Sequence, residues 1–185
     1  MEIREVNINW GMMLFISTVI LLLFIYPKTG AFYRKLLNFS VLKRLNTYVI
    51  IFSALILIFT ANLIISHRSL SSTYYLLTRP SSQTIMLDSY ELLLLIINMT
   101  IATPIIEELI FRAPLSLWSN RLPTFLFSLS ISSIIFGLLH TEYPLFGFVL
   151  GLTFGSVFRL SNSLLPAILT HMLWNIFSLF YFNYI

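Results

Sequence analysis

The chain has 185 residues, 58% of them hydrophobic and only 10% charged, where an ordinary soluble domain is about a quarter charged. A core of this size cannot hide that apolar surplus, so a water-soluble globular fold is excluded and lipid is the expected solvent. The net charge of +4 implies no nucleic-acid partner, because the basic residues punctuate apolar runs instead of forming a surface stripe.

A spanning helix needs about 20 mostly apolar residues, and six runs are read as candidates: 10–26, 48–65, 88–118, 122–139, 145–158 and 164–181. The first lacks a basic leader and a small-x-small cleavage site, so it reads as a helix, not as a signal peptide. After it, segment 27–47 carries Lys28, Arg34, Lys35, Lys43 and Arg44, with Phe32, Leu36, Phe39 and Leu42 recurring at spacings of three and four. That pattern predicts an amphipathic helix lying on an anionic membrane face. Positive residues assign this face to the cytoplasm, which puts both chain ends outside and Arg121 and Arg159 inside. The Ser- and Thr-rich segment 66–87 is expected to be the longest loop, on the outer side.

The third run is too long for a simple span, and Pro104 and Pro114 are expected to kink or divide it. The fifth is short. Its Gly147, Gly151 and Gly155, four residues apart, predict a bare face that serves either tight helix packing or room for a substrate. The expected fold is therefore all-α: a polytopic membrane helical bundle of about six transmembrane helices plus an interfacial amphipathic helix. One domain is expected over 1–185, with a catalytic core at about 88–181 and two helices joined by the basic connection over 1–87. No cysteine is present, which excludes disulfides, thiolate nucleophiles and Cys-ligated zinc.

Ionisable residues inside apolar runs cost roughly 2.5–3.5 kcal/mol each on insertion scales, so they tend to be paired or functional. The first two runs carry no charged residue or histidine; the second half of the chain carries three clusters. In Pro104-Ile-Ile-Glu107-Glu108-Leu-Ile-Phe-Arg112, Glu108 and Arg112 are four apart on one helix face, the better orientation for an ion pair. Glu107 points about 100° away and reads either as an extra buried carboxylate or as a general base or acid. Phe136-Gly-Leu-Leu-His140 ends the fourth run. In His171-Met-Leu-Trp-Asn175 the imidazole and the amide share a face. They read either as hydrogen-bonding glue between helices or as joint donors to a developing oxyanion. Together the clusters supply what amide hydrolysis needs.

These three motifs, in this order, resemble the CPBP intramembrane proteases (the Abi or CAAX-protease family, which includes the type II CAAX prenyl endopeptidases). The family pattern Glu-Glu-x-x-x-Arg, Phe-x-x-x-His and His-x-x-x-Asn is matched by Glu107-Glu108 to Arg112, Phe136 to His140, and His171 to Asn175. Ser163-Leu-Leu before the last motif is also similar. The match covers about 103–175 and departs where the family usually has Gly after the Arg; here Ala113 and Pro114 follow. The resemblance implies an all-helical membrane protease that hydrolyses a peptide bond in a polar cavity. Carried over by position, Glu107 with His140 would activate water, His171 with Asn175 would stabilise the oxyanion, and Glu108 and Arg112 would support the site.

No cofactor is the favoured expectation, on a glutamate mechanism. Zinc is the alternative, held by Glu107, His140 and His171 with an open fourth position, although the helical His-Glu-x-x-His signature is absent. The implied partners are the lipid bilayer and a membrane-associated or lipid-modified peptide, and the implied location is a multi-pass protein of a prokaryotic plasma membrane. Bacteriocin processing or self-immunity fits the family equally. Other classes are an ion or proton transporter, which inverted repeats would favour and the sequence does not show, and a membrane scaffold without catalysis. One tension is geometric: counting about 1.5 Å per residue from the basic side places Glu107 roughly 20 Å deep, His140 about 27 Å and His171 about 10 Å.

Overall fold

The computed structural model describes residues 24–66, 89–118 and 121–181, with isolated positions 18 and 21. Most of the expected first span, 10–26, and nearly all of the expected outer loop, 66–87, lie outside the described residues. Within them the chain is helical: α1 (Pro27–Leu36), α2 (Leu45–Ile65), α3 (Ser89–Ile97), α4 (Thr103–Phe111), α5 (Leu122–Leu139), α6 (Pro144–Ser161) and α7 (Leu164–Tyr181). Proline stands in the first two positions of α1, α4, α5 and α6, where its fixed φ suits a helix start and its missing N–H costs nothing. Asn162, in the left-handed region at φ 54°, stops α6. Ser163 then caps α7, its Oγ accepting the Leu165 N–H at 3.3 Å.

Helices α2, α5 and α6 are long and apolar enough to cross a membrane, and the apolar stretch of α7 is shorter. Their outward faces carry exposed Phe52, Leu57, Phe127, Leu138 and Leu160. A helix apolar on its outside as well as its inside belongs in lipid. The protein is an integral membrane protein built as a helical bundle.

Two elements depart from expectation. The interfacial helix ends at Leu36 instead of running to 47, and a 3-10 turn, Phe39–Lys43, follows. The Asn38 side chain accepts the Ser40 backbone N–H at 3.0 Å, offering the backbone an alternative to the helical ladder. The run 88–118 divides as its prolines suggest: α3, a π turn over Asn98–Ala102, α4, and a 3-10 turn over Ala113–Trp118. The fifth run is longer than expected, reaching Ser161.

Helices α5 and α6 form a hairpin through residues 140–143. Its seam is the glycine stripe: a Cβ at Gly147 would fall 2.8 Å from the His140 Cβ, and one at Gly151 would fall 2.8 Å from the Ser133 Cα. The bare face packs against α5, and Gly147 also lines the cavity described below. Toward the basic end, Leu109, Ala113, Phe125, Leu129, Phe158, Leu164, Ala167 and Ile168 fill the core. Toward the other end the core is Ile58, Phe136, Phe146, Leu150, Phe154 and Trp174. Helix α1 is fastened over the first of these. The Tyr33 hydroxyl donates to the Leu109 carbonyl at 3.4 Å, and the Ser163 hydroxyl reaches the carbonyls of Leu36 at 3.1 Å and Asn38 at 3.3 Å.

Candidate active site

The site begins with a proline. Pro104 has no N–H to give to the turn before it, and the chain there widens into the π turn, with the Thr103 N–H bonded to the Asn98 carbonyl five residues back. The Met99 carbonyl thus loses its α-helical donor to Asn98, and its five-residue donor would be Pro104, which has none. Asn175 supplies the missing bond, its Nδ2 donating to the Met99 carbonyl at 2.8 Å. A π turn inside an α-helix is commonly a functional feature; here it sets the rotation at which α4 presents its carboxylates.

On α4, Glu108 and Arg112 are fully buried, with Glu108 Oε2 and Arg112 Nε 3.0 Å apart. The contact has ion-pair distance but not hydrogen-bond alignment, since neither atom has a hydrogen-bond partner among the described residues. The guanidinium instead lies over aromatic faces, 4.5 Å from the Phe136 ring, 5.6 Å from Phe154 and 5.7 Å from Phe111. Such cation–π contacts strengthen when desolvated. The other oxygen of Glu108 faces His171 Nδ1 at 3.0 Å. Glu108 therefore holds a guanidinium with one oxygen and an imidazole with the other.

His171 is 3% exposed. Its ring stacks on Phe154 at 4.4 Å between centroids, and its Nε2 points to Glu107 Oε2 at 3.7 Å. Glu107, with its side chain 25% exposed, is the carboxylate that looks into open space. The imidazole is clamped between two glutamates: the buried one fixes its orientation, and the accessible one shares its reactive face.

His140 sits just past the last residue of α5. Its ring folds back, so that Nδ1 lies 2.8 Å from the Phe136 carbonyl and the ring lies 4.4 Å from that of Phe136. A carbonyl can only accept, so Nδ1 carries the proton and Nε2 is left for the cavity. Phe136 thus touches Arg112 and both histidines, which explains an aromatic residue four positions before His140.

Glu107, His140, His171 and Asn175 all line one cavity of about 680 Å³. The depth conflict resolves because α7 does not start at the membrane surface. Ser163, Leu164 and Ala167 are fully buried beneath α1, so counting from Leu164 began too shallow. Glu108 and Arg112 lie behind the cavity wall, as support. Asn175 shares the cavity with His171, but one of its amide N–H groups is committed to the π turn.

Sequence reasoning missed Asn62. It lies on α2 before residue 88, is 3% exposed and lines the same cavity, and its Oδ1 has no hydrogen-bond partner among the described residues. The signal was an amide in an otherwise apolar helix, which carries no charge to mark it. As for zinc, no group of three His, Cys, Asp or Glu side chains among the described residues converges closely enough to hold a metal ion. His171 turns Nδ1 to Glu108 and leaves Nε2 facing Glu107. Glu107, His140 and His171 do not form a three-ligand set as arranged.

A family model described as Rce1-like, type II CAAX prenyl endopeptidase Rce1-like, matches residues 89–177. That segment holds α3 to α7 almost in full and every residue of the three motifs. No curated protein and no solved structure matches the chain.

Proposed function

We propose, from the match of residues 89–177 to the type II CAAX prenyl endopeptidase Rce1-like family, that the chain is a membrane endopeptidase in which Glu107 activates the water that cleaves a membrane-associated or lipid-modified peptide. The observation that carries this reading is the His171 imidazole held between Glu107 and Glu108 on the wall of a cavity inside an apolar bundle. Water placed between Glu107 and the Nε2 of His140 gives its proton to the Glu107 carboxylate as it attacks the scissile carbonyl carbon. The carbonyl oxygen becomes an oxyanion, stabilised by the Nε2–H of His171 and the remaining N–H of Asn175. Glu107 then returns the proton to the leaving amine as the C–N bond breaks.

Charge balance supports these roles. Glu108 and Arg112 cancel. A single proton shared between Glu107 and His171 brings the remaining pair to zero, which is what a low-dielectric interior requires. The cavity wall includes the apolar Ile65, Leu139, Phe146 and Trp174, which suits an apolar or lipid-modified peptide.

The test compares wild type with Glu107→Gln and His140→Ala for hydrolysis of membrane-anchored reporter peptides, with and without chelator. Hydrolysis should fall by at least about 100-fold in each variant and be indifferent to chelator. Retained cleavage in both variants would remove the mechanism, and loss on chelation restored by zinc would replace it with the metal-dependent one.

A further inference from the structure

Helix α2 buries one stripe of residues, Thr47, Ile51, Ala54, Ile58 and Asn62, at spacings of three and four. That stripe is the face it turns to the bundle, where α2 packs against α6 and α7. Hydroxyls on the same helix find backbone acceptors. Thr47 donates to the Val41 carbonyl at 2.6 Å, Tyr48 to Leu42 at 2.8 Å and Thr60 to Ile56 at 2.8 Å. Asn62 has no such outlet. It is buried, and its Oδ1 has no hydrogen-bond partner among the described residues. An unpaired amide carbonyl among apolar side chains is costly, and leucine would fill the place without that cost.

The amide stands on the wall of the cavity that also holds Glu107, His140, His171 and Asn175. Helix α2 reaches that wall from outside residues 89–177, the segment matched by the family model. The cavity's other polar groups are largely committed. Asn175 gives one N–H to the Met99 carbonyl, His171 turns Nδ1 to Glu108, and His140 turns Nδ1 to the Phe136 carbonyl. What they have left is directed at the reacting bond. A peptide, however, brings a further N–H with each residue, and each loses its water on entering a cleft walled by Ile65, Phe146, Leu150 and Trp174. Asn62 is an acceptor in want of a donor at the place where such donors arrive. A half-turn about χ2 exchanges its carbonyl and amino ends, so either can be offered to the cavity.

Resting on the endopeptidase reading, we propose that Asn62 is a substrate-binding residue whose Oδ1 accepts the N–H of a peptide group flanking the scissile bond. The contact sets the register of the peptide against Glu107. It is made before and during the reaction alike, so its loss appears in KM more than in kcat. The partner is backbone, which every residue except proline supplies. A proline nitrogen at that one position is therefore refused, whatever the side chains around it.

Binding is measured in detergent with Glu107→Gln protein, which keeps the cavity and turns no substrate over. The probes are dye-labelled peptides anchored by a farnesyl or a palmitoyl chain. Each is made with all amides and as a set in which one backbone N–H at a time is replaced by an ester oxygen. One ester position should weaken binding about 10-fold, as expected for one buried hydrogen bond left unmade. Adding Asn62→Leu should weaken the all-amide peptide by a similar factor and make the protein indifferent to that ester. Asn62→Ser stands in if Asn62→Leu fails to accumulate. Equal binding of the all-amide peptide with and without Asn62, an ester penalty that survives the substitution, or a parent protein that binds neither probe overturns the proposal. Binding needs no hydrolysis, so failure of the endopeptidase reading shows separately, as a probe that wild type binds and never cleaves. Where wild type does cleave, Asn62→Leu should raise KM about 10-fold while kcat moves less.

Discussion

Replacing Gly147 with alanine should damage catalysis by displacing His140, since glycine has no side chain to take part in the chemistry. The added Cβ would lie 2.8 Å from the His140 Cβ, 3.0 Å from the Gly137 Cα and 3.1 Å from the His140 Cγ. Ordinary carbon contacts run about 3.5–4.0 Å, so α5 and α6 must part by close to 1 Å or His140 must swing away. Neither neighbour yields easily: one is backbone and the other is a ring fixed by the Phe136 carbonyl. Overpacking of this kind costs about 1–3 kcal/mol, and a 1 Å misplacement of a catalytic group costs about 100-fold in rate. The control is Gly155→Ala, whose Cβ meets chiefly a Leu129 methyl, the far end of a side chain that can turn aside. Thermal unfolding in detergent and hydrolysis of a membrane-anchored reporter peptide should separate the two variants, with Gly147→Ala slow and Gly155→Ala near wild type. Equal rates for both would refute the claim that the seam positions His140.

Other outcomes follow from the same contacts. Glu107→Gln should abolish hydrolysis while shifting the thermal midpoint little, because its Oε2 has no hydrogen-bond partner among the described residues and the side chain is a quarter exposed. Glu108→Ala should destabilise the fold by about 3–5 kcal/mol, since it strands a fully buried guanidinium; chemical unfolding in detergent reads this directly. Asn175→Leu should cost about 1–3 kcal/mol by leaving the Met99 carbonyl without a donor, measurable in the same assay. Asn62→Leu should keep or raise the thermal midpoint, because it removes a buried carbonyl with no partner among the described residues. A clear fall would mean that its amide holds the bundle together.

The helical class and the identity of the polar cluster were legible because lipid makes charge conspicuous: Glu107, Glu108, Arg112, His140 and His171 stand out in apolar runs. The Glu108–Arg112 contact followed from spacing alone. What spacing could not show is partnership between helices. His171 reads as a companion of Asn175 four residues on, yet its nitrogens face Glu108 and Glu107, 63 and 64 positions earlier in the chain. Depth was misjudged for a related reason: a linear count assumes every helix starts at the membrane surface, and α7 starts under α1. Asn62 was overlooked because an amide carries no charge.

The π turn at Asn98–Ala102 gives this protease an unusual tolerance profile. One surplus residue sits in the helical register ahead of Glu107, and removing it would restore a regular spiral while rotating Glu107 relative to α3 by about 100°. Single-residue deletions across 98–102 should therefore silence the enzyme even where every side chain there can be exchanged. In this stretch chain length, more than chemical identity, is what inheritance has to preserve.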